Sequence, residues 1–135
     1  MNAEQVELIR NSLIHVHPIA DEIAKSFYAH LFEITPHLRK LFTGDMNKQG
    51  TMLMTSLELA VSSLDDPESI LPSVKVLGER HISYGVKTEY YQLAKDAYLW
   101  ALANHLKDEF TPALKDAWTA AFNALVEIMI SATGS

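Results

Sequence analysis

The chain holds six histidines and no cysteine. Disulfides, thiolate metal sites and cysteine nucleophiles are therefore excluded, and any metal or base chemistry falls to histidine. His15 and His17 lie two apart, a spacing that turns them to different faces of a helix. None of His15, His17, His30, His37 and His105 makes the His-x3-His or Glu-x2-His spacing of a helical metal site. Their polar surroundings predict surface side chains. His81 differs, because it continues the apolar face of Val74, Leu77 and Gly78 near the end of a short helix. A lone apolar histidine most often satisfies its ring nitrogens on nearby backbone. It cannot build a zinc site, which needs three or four protein ligands. Haem iron needs only one, since the porphyrin supplies four nitrogens. His81 is thus informative only if the rest of a flat apolar pocket can be found.

The preceding helix supplies one wall. Gln49, Leu53 and Leu57 recur at i, i+4 and i+8, setting an amide beside two aliphatic side chains on one face. A shift of three residues would bring Met46 or Met52 into the pocket instead. Tyr28 lies beside Phe27 on the second helix, where a phenol can point inward if its hydroxyl finds a partner. Phe42 stands at a corner that suits either stacking on a flat ligand or ordinary core packing.

The elements that must hold these residues are helical throughout. Asn2 and Gln5 form a capping-box pair ahead of Val6, Ile9, Leu13 and Val16, and Pro18 interrupts the stripe. Ile19, Ile23, Phe27 and Leu31 carry the second stripe. Thr35-Pro36 is expected to cap and open a short turn bearing Leu38, Leu41 and Phe42. Thr43 to Gly50 is polar and reads as a loop running into a helix of about 47–64, which Asp65-Asp66-Pro67 stops. Ile70-Leu71-Pro72 restarts a helix that ends at Gly85. Thr88 and Thr111-Pro112 are expected to cap the last two, with Tyr91, Tyr98 and Leu102 on one and Leu114, Trp118, Phe122 and Met129 on the other. No segment alternates with period two for the length of a strand. The expectation is one all-α domain over residues 1–135, with about seven helices.

Hydrophobic residues make up 48% of the 135, enough for a core able to enclose a small ligand without disulfide or metal staples. Eleven Lys+Arg against 17 Asp+Glu give a net charge of -6, which argues against nucleic acid or an anionic membrane as the main partner. No apolar run approaches a membrane span, and the first residues lack the pattern of a signal peptide. A cytoplasmic location is expected.

Several runs, in order, resemble a known family. Phe27-Tyr28-Ala29-His30-Leu31-Phe32, Pro36 and Leu41-Phe42 are similar to bacterial single-domain globins and to the haem domain of flavohaemoglobins. Leu71-Pro72-Ser73-Val74, Gly78-Glu79-Arg80-His81 and Gly85-Val86 continue the match. Phe110-Thr111-Pro112 and Ala117-Trp118 resemble the neuroglobin-like branch. The resemblance spans about Glu4 to Ile130 and implies a globin fold enclosing haem b. It implies His81 as the proximal iron ligand, Tyr91 as its support, and Phe42 as the wedge against the haem. Tyr28 and Gln49 take the distal hydrogen-bonding positions and Leu53 the apolar position over the sixth coordination site, with Leu77 and Val86 among the haem contacts. The family's proximal glutamate has no counterpart, since ungapped counting puts its position at Ser135 and Glu127 falls too early.

The implied ligands are O2, NO and CO, and the implied work is O2 retention or dioxygenation of NO. The reductase module of flavohaemoglobins would begin where this sequence ends, so turnover is expected to draw electrons from a separate reductase. A globin-fold regulatory or gas-sensing module is the competing expectation.

Overall fold

The computed structural model describes residues 2–42, 44–62, 71–83 and 88–132. Six α-helices follow one another: α1 (Ala3–Val16), α2 (Ala20–Ile34), α3 (Met46–Ser62), α4 (Leu71–Ser83), α5 (Thr88–Leu106) and α6 (Pro112–Ala132). Short 3-10 turns stand at His17–Ile19, Pro36–Leu41 and Lys107–Glu109. α2 packs on α3 and α5, α4 packs on α6, and α1 lies across α3 and α6. Among the described residues no strand is present and no helix is long and apolar enough to cross a membrane.

Helix starts follow local chemistry. Gln5 N–H donates to Asn2 Oδ1 at 2.8 Å and Asn2 N–H donates to Gln5 Oε1 at 3.2 Å, completing the expected box. The two Thr-Pro pairs diverge. Thr111 Oγ1 accepts from Leu114 N–H at 3.2 Å and starts α6 as expected. The Thr35 hydroxyl makes no such bond, and the Pro36 segment winds as a 3-10 turn of six residues. Its tighter i→i+3 geometry changes where the first N–H groups point, so the side-chain cap is lost. Asp45, unmarked by the sequence reading, opens α3: its Oδ1 accepts from Asn47 N–H at 2.8 Å and its backbone oxygen from Gln49 N–H at 3.0 Å. That cap lets the helix begin at Met46, close to the expected start near residue 47, so most of the polar stretch read as a loop is already helical.

The core centres on Ile9, Val16, Ile23, Tyr98, Leu102 and Trp118, all essentially inaccessible. Trp118 Nε1–H donates to Ser12 Oγ at 3.1 Å, and Ser12 Oγ–H donates to the Ile9 carbonyl at 2.6 Å. A buried serine on an otherwise apolar stripe is thus what receives the indole, satisfying both polar groups. Two histidines expected at the surface are half-buried. His105 Nε2 bonds Ser26 Oγ at 2.7 Å, and His30 stacks on the 42%-exposed Trp100 with centroids 4.1 Å apart and planes 5° off parallel. Both corrections have one cause: the partner comes from the facing helix, α2 against α5, which neighbours in sequence do not reveal.

Where α2 crosses α3, a Cβ placed on Gly50 would lie 3.0 Å from Ala24 Cβ. Ordinary carbon contacts sit near 3.5–4.0 Å, so the helices are as close as a missing side chain allows. Gly50→Ala gains about 1 kcal/mol of helix propensity but overpacks the crossing at a cost of about 1–3 kcal/mol. The single variant should therefore be less stable than the parent in chemical denaturation. The swap Ala24→Gly/Gly50→Ala should recover most of the loss, whereas additive destabilisation would show that the crossing is not the cause.

Candidate functional site

A cavity of about 410 Å³ lies among the helices, within the size range of small-molecule and cofactor sites. α2 contributes Phe27, Tyr28 and Leu31, and the second 3-10 turn and its exit contribute Leu38, Leu41, Phe42 and Gly44. α3 contributes Met46, Gln49, Met52, Leu53, Ser56 and Leu57. Arg80 and His81 come from α4, Tyr90, Tyr91 and Ala94 from α5, and Phe122, Leu125 and Met129 from α6. Six of the singled-out residues, Tyr28, Phe42, Gln49, Leu53, His81 and Tyr91, thus face one space. Val86 and the Leu77 side chain lie outside the described residues. Met46 and Met52, weighed as replacements for Gln49 and Leu53, line the cavity together with them. A helix presenting a wide stripe to a broad cavity exposes i, i+3, i+4 and i+7 at once, so these positions do not exclude one another.

Tyr28 is 7% exposed and sits in an aromatic cluster. Its ring meets Phe27 edge-on at 4.7 Å and Phe42 at 5.3 Å, and stacks on Phe32 at 5.9 Å. Phe42, half-buried, also meets Phe32 edge-on at 5.3 Å. Arg39 fixes this corner: Nη1–H donates to the Phe42 carbonyl at 2.6 Å while the guanidinium lies 5.6 Å from the Phe32 ring centre. Burial pushes the Tyr28 phenol up to about 12, and hydrogen bonding with the Gln49 side chain offsets part of that rise. The hydroxyl therefore keeps its proton at neutral pH, as a hydrogen-bond donor into the cavity must.

His81 is half-buried, with its ring 5.8 Å from that of Tyr91. Tyr91 is buried with Val74, Val126 and Met129, and that burial raises its phenol as well. Behind Phe27 and Phe122, Tyr98 is 1% exposed, and its hydroxyl has no partner among the described residues. Burial first, and the Glu58 carboxylate second, push it further up than Tyr28.

Among the described residues no group of three His, Asp or Glu side chains could hold a metal ion, and no carboxylate lines the cavity. The polar lining is one imidazole (His81), the Gln49 amide, the phenols of Tyr28, Tyr90 and Tyr91, the Ser56 hydroxyl and the Arg80 guanidinium, and the remaining walls are mostly apolar. This fits a large flat cofactor that brings its own equatorial ligands and asks the protein for one nitrogen. It does not fit a protein-ligated zinc or magnesium ion. Sequence reading missed the α6 contribution of Phe122, Leu125 and Met129, which share the core-facing stripe of that helix. Arg80, adjacent to His81, and Tyr90, adjacent to Tyr91, were legible only as neighbours.

A family model described as Globin matches residues 25–129. Among curated proteins, the flavohemoprotein of Bacillus subtilis is 27% identical over 96% of this chain and that of Deinococcus radiodurans 28% identical over 96%. The chain spans only 33% of the length of each. A bacterial globin from Campylobacter jejuni superposes with a TM-score of 0.88 at 21% identity, covering 98% of this chain and 96% of that one. An engineered carbene transferase built on a candidate nitric oxide dioxygenase of Rhodothermus marinus gives 0.90 at 22% identity, covering 99% and 94%. A hexacoordinated heme protein from a tardigrade gives 0.89 at 16% identity, covering 100% and 96%. These structural likenesses establish the fold.

The buried phenols make an alkaline prediction. A tyrosine whose folded pKa lies above its unfolded value of 10.0 stabilises the fold fully below pH 10, and the contribution is lost as pH rises through the folded value. For Tyr28, at about 12, the stability at stake is of the order of 2–3 kcal/mol. Unfolding free energy should fall between pH 10 and 12, and Tyr28→Phe should flatten part of that slope. An unchanged slope would place the phenol in water.

Proposed function

The chain belongs to the globin family, and on that premise we propose that it holds haem b through His81 and binds O2 and NO. The observation that carries the proposal is one imidazole sharing a mostly apolar cavity with a protonated, buried phenol and an amide. Haem supplies an iron that takes up a diatomic gas and shifts electron density onto O2. The residues of the chain then have separable tasks. His81 gives one ring nitrogen to the metal, and Tyr91, 5.8 Å from it, limits the rotation of the imidazole. Phe42 and Leu53 pack on the porphyrin, with Leu77 and Val86 assigned to the same contact. Tyr28 Oη–H donates to a bound ligand, and the Gln49 amide orients the phenol or donates alongside it. Leu53 and the Phe27–Phe32–Phe42 cluster exclude water, which strengthens those donors by lowering the local dielectric.

The pocket suits retention of O2 and also the conversion of NO with O2 to nitrate. That reaction consumes one electron for each nitrate formed, and none of the cavity-lining side chains is an electron source. A reductase in the role its flavohemoprotein relatives suggest would supply it.

Two variants test the reading. Purified chain given haemin should develop a strong Soret band, and His81→Ala should lose haem unless imidazole is added. Tyr28→Phe should speed O2 dissociation by about 10- to 150-fold, the equivalent of a 1.5–3 kcal/mol hydrogen bond to a charged partner. Carbon monoxide, which carries little charge when bound, should leave at nearly the parent rate. Equal acceleration of both gases in stopped flow would make Tyr28 a steric element, and a spectrum unaltered in His81→Ala would remove the ligand assignment.

A further inference from the structure

Sulfur in this chain is carried by methionine alone, since there is no cysteine. Four of the five methionines lie among the described residues, and their settings differ. Met54 and Met129 are sealed at 4% and 5% exposure, and Met46 is half-buried. Met52 is 55% exposed and yet lines the cavity, so its thioether stands at the mouth, between solvent and the interior. Met54, two residues on, packs into the core from a different face of α3. Met52 also stands three residues after Gln49, and both line the cavity, which makes them neighbours on one helix face. Gln49 is the residue whose amide hydrogen-bonds with the Tyr28 hydroxyl. An exposed thioether and the partner of the buried phenol are thus adjacent.

We propose that Met52 is a modification site for peroxide, and that its sulfoxide draws the Gln49 amide away from Tyr28 toward the mouth. The sulfur lone pair attacks one oxygen of hydrogen peroxide, the O–O bond breaks, and the other oxygen leaves as water. Sulfur gives up two electrons and peroxide accepts two, so no further oxidant or reductant enters. A thioether is a weak hydrogen-bond acceptor, whereas the sulfoxide oxygen is strongly polar. It therefore competes for the N–H donors of the neighbouring amide. Lys48 and Ser56, one turn to either side on α3, can donate to the same oxygen. Of the three donors, Gln49 is the one bonded to Tyr28, so only its movement reaches the phenol. Methionine sulfoxide is reduced back by dedicated reductases, which makes the change a reversible one. The consequence for a bound gas rests on the haem reading above, and the modification itself does not.

The test exposes haem-loaded protein to dilute hydrogen peroxide with carbon monoxide on the iron, so that the metal does not consume the oxidant. Peptide mass mapping should find the added oxygen on Met52 first, with Met54 and Met129 at least about tenfold slower. Once peroxide is removed and O2 replaces carbon monoxide, the oxidised parent should release O2 about three- to tenfold faster, the range of one neutral hydrogen bond. Carbon monoxide release should stay at the parent rate, and treatment with methionine sulfoxide reductases should restore the O2 rate. Met52→Leu should show no response to peroxide. Gln49→Leu should be oxidised at Met52 as the parent is, with no further change in O2 release. Oxidation of Met46, Met54 or Met129 as fast as Met52 would overturn the site. Unaltered O2 release from the oxidised parent would overturn the coupling to Tyr28. So would equal acceleration in Gln49→Leu, which would make water entry the cause. A parent chain that develops no Soret band removes the haem reading, and the order of oxidation in the purified chain then decides the site by itself.

Discussion

The distance between α2 and α3 at Ala24 and Gly50 governs what the cavity can do. Tyr28 lies one turn beyond Ala24, and Gln49 is the immediate neighbour of Gly50. The helices cross so closely that a Cβ on Gly50 would lie 3.0 Å from that of Ala24, and this closeness brings a phenol and an amide from two helices into hydrogen-bonding range. One methyl group more would separate the backbones by several tenths of an ångström at the crossing. The effect would spread along both helices, because side chains packed on rigid rods move with them. The Asp45 cap serves the same end from the other direction, since it fixes where α3 begins and so which face Gln49 occupies.

A cavity of about 410 Å³ removes the partner atoms that core side chains would otherwise touch, and the surrounding walls must compensate. Here they do so with aromatic contacts. Phe27, Tyr28, Phe32 and Phe42 pack at 4.7–5.9 Å in edge-on and stacked arrangements that are worth more than their area alone. On the far side of Phe27, Tyr98 and Trp118 continue the pattern at 5.5 Å, so the cavity is backed by rings rather than by flexible chains. The same dry surroundings keep the Tyr28 phenol protonated, and stability and ligand chemistry thus draw on one feature.

Much of this was legible in the sequence because it depends on periodicity. The i, i+4, i+8 spacing of Gln49, Leu53 and Leu57, and the apolar face bearing His81, placed these residues correctly with respect to their own helices. What periodicity cannot register is the facing helix. Gly50 closes a polar run that reads as a loop entering the helix of about 47–64, and nothing in that pattern shows that its missing side chain serves a crossing. Ser12 lies within the first apolar stripe without any periodic signal of its own, and the indole of Trp118 reaches it across the molecule. Thr35 and Thr111 precede proline alike, and only the tightness of the following turn separates the one that caps from the one that does not. His30 and His105 read as solvated because their partners on α5 and α2 are some 70 or more residues away.

The two tryptophans occupy very different settings. Trp118 is sealed in the core at 2% exposure with its indole N–H bonded to Ser12, whereas Trp100 lies at the surface against the His30 imidazole. An imidazole stacked at 4.1 Å is a contact quencher of indole emission, so Trp100 should be dim while α2 and α5 remain in register and brighten when they part. Trp118 reports instead on the collapse of the whole core, through a shift of its emission toward the red as water arrives. The chain thus carries two built-in optical probes, one for a local slip between two helices and one for global unfolding, that a single emission spectrum can follow together.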